Sequence, residues 1–332
     1  MIPLIFLIAG IAGLYFGSGY VVETAKNIAN KLKIPPVLIG LSIISIGTSI
    51  PEIMTNLFSG LKIRQGIEAS GIAIGTNLGS DITQITFILG FTALFGTMHA
   101  NKKLLSRDFF MVIFSILAVF FVGITGYNVS LLEGTIMIVI YIWYLYTIFK
   151  DEKSSKEVKK ELKEELIIDG KSKSGTYTLN FSLMALGIAI LIFASEMVVG
   201  SAVKLAEYWR VSGSFVGVMV IGVGTGLPEL STALRAIFKK AGDISLGTLI
   251  GSNITDPMLA LPMGAIAAGS VGLSFDKNLL FFDIPFWLIA SIVALYIFKK
   301  NMKISKKDKR HGLILITLYV LFVAIKLIFF LH

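Results

Sequence analysis

Gly47-Thr48-Ser49-Ile50-Pro51-Glu52 lies inside an apolar region running from about Val37 to Phe58. A glycine, two hydroxyls, a proline and a carboxylate are poor material for a continuous helix in lipid. Pro51 lacks a backbone donor and blocks the helical bond to the residue four earlier. Glu52 is ionisable at membrane depth, where a charge is costly and marks a functional site by default. The stretch recurs 177 positions later as Gly224-Thr225-Gly226-Leu227-Pro228-Glu229. Two interrupted apolar helices at matching places in two halves are the sequence mark of a midplane binding site.

Composition sets the medium. With 55% hydrophobic and only 15% charged residues, and a mean hydropathy of +0.82, the chain has far more apolar surface than a soluble domain uses. A bilayer-spanning helix takes roughly 20 apolar residues. Candidate spans run at about 2–22, 35–61, 68–97, 107–126, 130–149, 178–200, 211–238, 243–270, 279–298 and 311–331, of which the second, third, seventh and eighth are long and interrupted by Gly, Pro and Ser. The apolar N-terminus lacks a basic leader region and reads as the first span rather than a signal peptide. The fold expected is an all-α polytopic membrane protein, ten transmembrane helices arranged as two inverted five-helix repeats. Residues 1–149 form the first repeat, 150–176 a charged linker and 177–332 the second repeat. The absence of cysteine excludes disulfides, thiolate metal sites and cysteine nucleophiles. Three dispersed histidines, His99, His311 and His332, do not make a histidine metal cluster.

Charge placement explains the net charge of +9 without nucleic acid. The connections after the odd-numbered spans carry 24 of the 30 lysines and arginines. By the positive-inside rule these connections are cytoplasmic and both termini lie outside a multi-pass plasma-membrane protein. From Lys150 to Gly175 lysines alternate with acidic residues, which reads as a solvated linker with helical i,i+4 ion pairs.

The repeat extends beyond the opening motif. At the same offset Ser18 falls on Ser195, Ala25 on Ala202 and Gly40 on Gly217. Further on, Gly75-Thr76-Asn77-Leu78-Gly79-Ser80-Asp81-Ile82-Thr83-Gln84 matches Gly247-Thr248-Leu249-Ile250-Gly251-Ser252-Asn253-Ile254-Thr255-Asp256 at an offset of 172. An odd number of spans in each half gives the halves opposite topology, the arrangement of alternating-access transporters.

These residues offer oxygen. Brought together near the midplane, Glu52 and Glu229 are two unpaired anions in a poor solvent for charge, and a bound cation removes that penalty. Calcium suits such a site, because it accepts a flexible cage of carboxylate, carbonyl and hydroxyl oxygens. The prolines open the helix, so the carbonyls of Thr48 and Thr225 become ligand candidates. Ser49 adds a hydroxyl. Ser80 with Gln84, and Ser252 with Asp256, are i,i+4 pairs facing one way on a helix. Asp81 reads first as a membrane-edge or capping group. Gly75, Gly79, Gly247 and Gly251 permit close helix approach. An intramembrane hydrolase is disfavoured, since Ser49 lacks a histidine or lysine base at membrane depth. A selective channel fits inverted repeats less well than alternating access does.

The two copies of Gly-Thr-Ser/Gly-x-Pro-Glu, each followed by Gly-x-x-x-Gly-Ser-x-x-x-polar, resemble the α-repeats of the calcium/cation antiporter superfamily. The nearest branch is the prokaryotic sodium/calcium exchangers, and the resemblance covers nearly the whole chain. It implies antiport of a divalent cation, Ca2+, against Na+, with a proton-coupled Ca2+ or Mg2+ exchanger as the alternative. Glu52 and Glu229 would be the main calcium ligands, helped by the Thr48 and Thr225 carbonyls. An inner sodium site would use Glu52, Ser49 and Ser80 with the backbone around Ser45 and Thr48. An outer one would use Glu229, Ser252 and the backbone around Gly222, while Gln84 and Asp256 flank the centre. Helices one and six would slide past the other eight. The expected partners are inorganic cations and the lipid bilayer, with no cofactor, no nucleic acid and no obligate protein partner. Two departures stand out. Gly226 replaces a serine usual in the family, and Gln84 replaces an Asn or Asp. Asp81, one turn before Gln84, could return a carboxylate. These departures imply altered sodium coupling.

Overall fold

The computed structural model describes residues 2–31, 45–100, 102–153, 177–238, 242–304 and 309–329. Most of the charged linker, and the start of the second apolar stretch, lie outside these residues. The described chain is helical apart from four two-residue strands. Seven of its helices are long and apolar enough to cross a membrane: Ser70–Phe95, Leu104–Gly126, Leu131–Lys150, Thr178–Trp209, Gly213–Phe238, Leu279–Lys300 and Arg310–Phe329. The other apolar stretches form the helices Ile2–Lys31, Ile50–Arg64, and Gly242–Thr255 with its continuation to Ala268.

Each Pro-Glu motif bends its helix at one residue. Ser49 (φ −81°, ψ 4°) separates Ser45–Thr48 from Ile50–Arg64, and Gly226 (φ −75°, ψ −2°) separates Gly222–Thr225 from Leu227–Phe238. Pro51 and Pro228 then fall in the first turn of the following helix, where a missing donor costs little. Backbone bonds still bridge each bend. Ser49 N–H donates to Ser45 O at 3.2 Å and Ile53 N–H to Ser49 O at 3.0 Å. The matching bonds at Gly226 are 3.2 and 3.1 Å. The opening is therefore a kink, narrower than an unwound segment.

Spans three and eight, read from sequence as interrupted, are continuous. Their irregularity is a π-helical turn, Gln84–Ile88 and Asp256–Ala260, which begins on the last polar residue of each motif. Such widened turns recur at functional sites. A second matching pair, Leu104–Asp108 and Leu279–Asp283, opens the next helix in each half. The glycines of these spans serve packing. A β-carbon on Gly79 would stand 2.3 Å from Val218 O, and one on Gly251 would stand 2.6 Å from Ser45 Oγ. Each motif helix thus lies directly against the kinked helix of the other half.

Helices Ile2–Lys31 and Tyr177–Trp209 form a pair of their own. Gly10 and Gly13 seat Val198 and Ala194, and Leu7, Leu14, Leu191 and Leu205 join Ile72, Val216 and Ile221 of the neighbouring helices in a core separate from the larger one around Phe109, Trp287 and Phe298. Large side chains such as Ile5, Phe16, Phe193 and Tyr208 are exposed along this pair, as lipid-facing surfaces are. Met98–His99 pairs antiparallel with Lys303–Ile304, and Asn128–Val129 with Leu273–Ser274. Each pairing ties a connection of the first half to one of the second.

Candidate cation site

The kinked helices and the motif helices bring the carboxylates into one buried region. Glu52, Asp81, Glu229 and Asp256 are all fully buried, as are Ser49, Ser80, Ser252 and Gln84. Thr48 and Thr225 are nearly so. Glu52 and then Asp256 are the charged groups that act most strongly on Glu229. The halves cross: Thr225 stands beside Glu52, and Thr48 beside Glu229. Thr48 Oγ1 also lies 3.3 Å from Ser252 Oγ.

A directed chain of hydrogen bonds ends on Glu52. Trp287 Nε1 donates to Asn253 Oδ1 at 3.0 Å, and indole can only donate. Asn253 must therefore turn its amide nitrogen the other way, and Nδ2 donates to Gln84 Oε1 at 3.0 Å. That leaves Gln84 Nε2 facing the centre, where it donates to Ser80 Oγ at 2.9 Å and reaches Asp256 Oδ2 at 3.4 Å. Ser80 in turn donates to Glu52 Oε1 at 2.7 Å. Gln84 thus flanks the centre with its NH2 group, while its oxygen is spent on Asn253.

What this region leaves unmet is all oxygen. Ser49 Oγ, Glu52 Oε2, both oxygens of Asp81, Glu229 Oε2 and Asp256 Oδ1 have no hydrogen-bond partner among the described residues. Buried polar atoms are ordinarily satisfied, so a cluster of orphans needs a cause. Orphans that are all hard oxygen acceptors match the ligand set of an alkali or alkaline-earth cation. Among the described residues, however, no three acidic or histidine side chains converge closely enough to hold a single ion. The oxygens lie in smaller groups around the crossing.

Asp81 departs from its expected role. It lies in the middle of the continuous span Ser70–Phe95, fully buried. The i,i+4 spacing pointed to Ser80 and Gln84 and passed over Asp81, because helical spacing reports one face and not what the other half presents to the next.

Supporting contacts surround the region. Asn56 and Asn77 exchange amide bonds at 3.1 and 3.0 Å, and Asn56 also donates to Glu52 O at 2.9 Å. Tyr141 OH lies 2.8 Å from Thr255 Oγ1, next in sequence to Asp256. A cavity lined by Ser45, Asp108, Tyr141, Tyr144, Gly251 and Thr255 reaches this point, with Tyr144 OH donating to Asp108 Oδ1 at 2.9 Å. Farther off, Lys326 Nζ holds Asp283 Oδ2 at 2.8 Å in a fully buried pair.

The profile of the family described as sodium/calcium exchanger protein matches residues 2–150 and 179–328. The sodium/calcium exchanger MaX1 of Methanosarcina acetivorans is 28% identical, over 96% of this chain and 97% of its own. The inner membrane protein YrbG of Escherichia coli is 31% identical over 78% of each chain. The solved sodium-calcium exchanger NCX_Mj superposes with a TM-score of 0.64 at 27% identity, covering 98% of both chains.

Proposed function

Because this chain belongs to the sodium/calcium exchanger family, a family of membrane transporters rather than enzymes, we propose that it is a secondary antiporter exchanging Ca2+ for Na+ by alternating access. The observation that carries the reading is the set of orphaned oxygens on Ser49, Glu52, Glu229 and Asp256, where the two kinked helices cross. Glu52 and Glu229 bind the divalent cation, and Thr48 and Thr225 offer backbone carbonyls at the kinks. Ser80 and Ser252 steady the glutamates, and Ser49 and Asp256 complete the oxygen lining. Gln84 positions Ser80 and Asp256 through its NH2 group.

The architecture we infer is ten transmembrane helices in two inverted five-helix repeats, residues 1–149 and 177–332, joined by a cytoplasmic linker at 150–176. Both termini face outward across the plasma membrane. Matching π turns in each half support the repeat, and the strand pairs 98–99 with 303–304 and 128–129 with 273–274 suit that topology. The close glycine-seated pairing of Ile2–Lys31 with Tyr177–Trp209 supports their moving as a unit against the remaining helices. The cavity from Asp108 to Thr255 would be the approach from one face.

Sodium coupling is altered at Gly226, which faces Ser80. Gly226 offers no hydroxyl there, although a β-carbon would meet nothing closer than 3.4 Å. The same feature favours a second reading, in which protons replace sodium as counter-ion. Isotopic Ca2+ uptake into proteoliposomes, with sodium and proton gradients imposed separately, tests both. Uptake driven by sodium alone supports the first reading, and uptake driven only by a proton gradient replaces it with the second.

A further inference from the structure

Glycine contacts match the last helix of one half to that of the other. A β-carbon on Gly134 would meet Pro262 O at 3.3 Å, and one on Gly312 would meet Gly90 O at 2.7 Å. Gly90 and Pro262 already correspond at the motif offset of 172, so Gly134 corresponds to Gly312, 178 positions later. Tyr141, Tyr144 and Ile148 then correspond to Tyr319, Phe322 and Lys326, while Asp108 and Asp283 end the matching π turns. Around Asp108 these side chains line a cavity of about 20 Å³. Around Asp283 the long lysine fills the corresponding place, its Nζ on Asp283 Oδ2 at 2.8 Å. The cavity lies where Leu104–Gly126 and Gly242–Thr255 begin and Leu131–Lys153 ends. In the topology inferred above, that is the cytoplasmic side.

A knot of three hydroxyls closes the deep end of the cavity. Thr255 Oγ1 donates to Gly251 O at 2.9 Å. Its one proton is then spent, so Tyr141 OH at 2.8 Å and Ser45 Oγ at 3.3 Å both donate to it. One threonine thus joins the leading turn of a kinked helix, the helix Leu131–Lys153 and a motif helix. Thr255 precedes Asp256, and Ser45 O accepts from Ser49 N–H across the bend. The knot therefore stands between the cavity and the oxygen cluster. In the other half Tyr319 stands beside Thr83, but Gly222 takes the place of Ser45 and offers no hydroxyl.

We propose that Tyr141 is a gating residue, whose bond to Thr255, shared with Ser45, closes the path between the Asp108 cavity and the cation site. This rests on the alternating-access reading above and names its gate on one face. At about 20 Å³ the cavity has room for one water, so a hydrated cation passes only when the tyrosine moves. Opening is cheap, because Thr255 keeps its bond to Gly251 O and the freed phenol turns into the wetted cavity. The counterpart in the other half is held by an ion pair, Lys326 on Asp283, which is costly to part in a buried setting. The two faces are thus gated unequally.

The test uses the full chain in detergent. The chain has no cysteine, so Leu145→Cys places a single thiol on the cavity wall, and Lys102→Cys gives an exposed reference thiol. The rate of reaction with a charged methanethiosulfonate is measured at fixed sodium and Ca2+. Tyr141→Phe keeps the ring and loses the hydroxyl. It is expected to speed labelling of Leu145→Cys about fivefold, the scale of one hydrogen bond, and to leave Lys102→Cys unchanged. Ser45→Ala, which serves should Tyr141→Phe not fold, is expected to act in the same direction to a lesser extent. Labelling of Leu145→Cys unchanged in both variants overturns the proposal, as does an equal rise at Lys102→Cys. Sodium-driven Ca2+ flux by the unaltered chain is a separate readout. If it is absent while Tyr141→Phe still opens the cavity, the exchange reading fails and the gate stands.

Discussion

Ser80 donates its hydroxyl proton to Glu52 Oε1 at 2.7 Å. The equivalent pair, Ser252 and Glu229, is stretched to 3.5 Å, the edge of a hydrogen bond. The two halves thus repeat in sequence but differ in chemistry where they meet. A hydrogen bond to a charged group contributes about 1.5–3 kcal/mol. Ser80→Ala should therefore weaken Ca2+ binding at least about tenfold. Ser252→Ala should cost much less. Equilibrium binding of 45Ca2+ to both variants checks the asymmetry, and equal losses would count against it.

Gly226 is the second asymmetry and is open to repair. A serine there meets no atom closer than 3.4 Å from its β-carbon, and Ser80 Oγ is the nearest side-chain atom, at 3.5 Å. Gly226→Ser should fold with little change in melting temperature and should lower the sodium concentration for half-maximal Ca2+ efflux. Gly79→Ala, in contrast, drives a methyl into Val218 O at 2.3 Å. It should destabilise the chain by about 1–3 kcal/mol through overpacking. Melting curves of the two variants separate the cases.

Trp287 sets the direction of the amide chain. Trp287→Phe removes one of the two groups that orient Asn253, leaving Leu249 O, which accepts from Nδ2 at 3.1 Å, and so loosens the amide that orients Gln84. Gln84 should then sample the flipped amide and present its oxygen to Ser80 and Asp256. The expected result is a shift in the ratio of sodium to calcium affinity, with the fold retained. An unchanged ratio would show that the chain does not govern the amide.

Lys326 and Asp283 make a structural prediction apart from the site. Both are buried, and Asp283 Oδ1 has no partner among the described residues. Lys326→Met leaves an isolated buried carboxylate and should cost about 3–5 kcal/mol. The double variant Lys326→Met with Asp283→Leu should recover most of that stability, because replacing a whole buried pair is often neutral. Thermal denaturation in detergent reads both.

The sequence made the kinked helices and their glutamates legible because proline, glycine and a carboxylate are chemically out of place in a membrane span. The i,i+4 rule found Ser80 with Gln84 for the same local reason. It did not reach Asn253 or Asp81, whose neighbours Gln84 and Asp256 lie in the other half, 169 and 175 positions away, nor Trp287, which meets Asn253 34 positions away in the same half. Nor did it foresee that spans three and eight stay continuous. The glycines that resembled helix breakers are the points where backbone meets backbone, and the irregularity moved into the π turns at Gln84 and Asp256. Asn56 and Asn77 went unnoticed because each finds its side-chain amide partner in the other, 21 positions away.

The central claim is that Glu52 and Glu229 carry a cation across the membrane against sodium. The direct test is 45Ca2+ flux in proteoliposomes loaded with sodium, comparing the unaltered chain with Glu52→Gln and Glu229→Gln after each variant is shown to be folded. Sodium-dependent Ca2+ uptake is expected of the unaltered chain and none of either variant. Normal uptake by a folded Glu52→Gln or Glu229→Gln chain would contradict it.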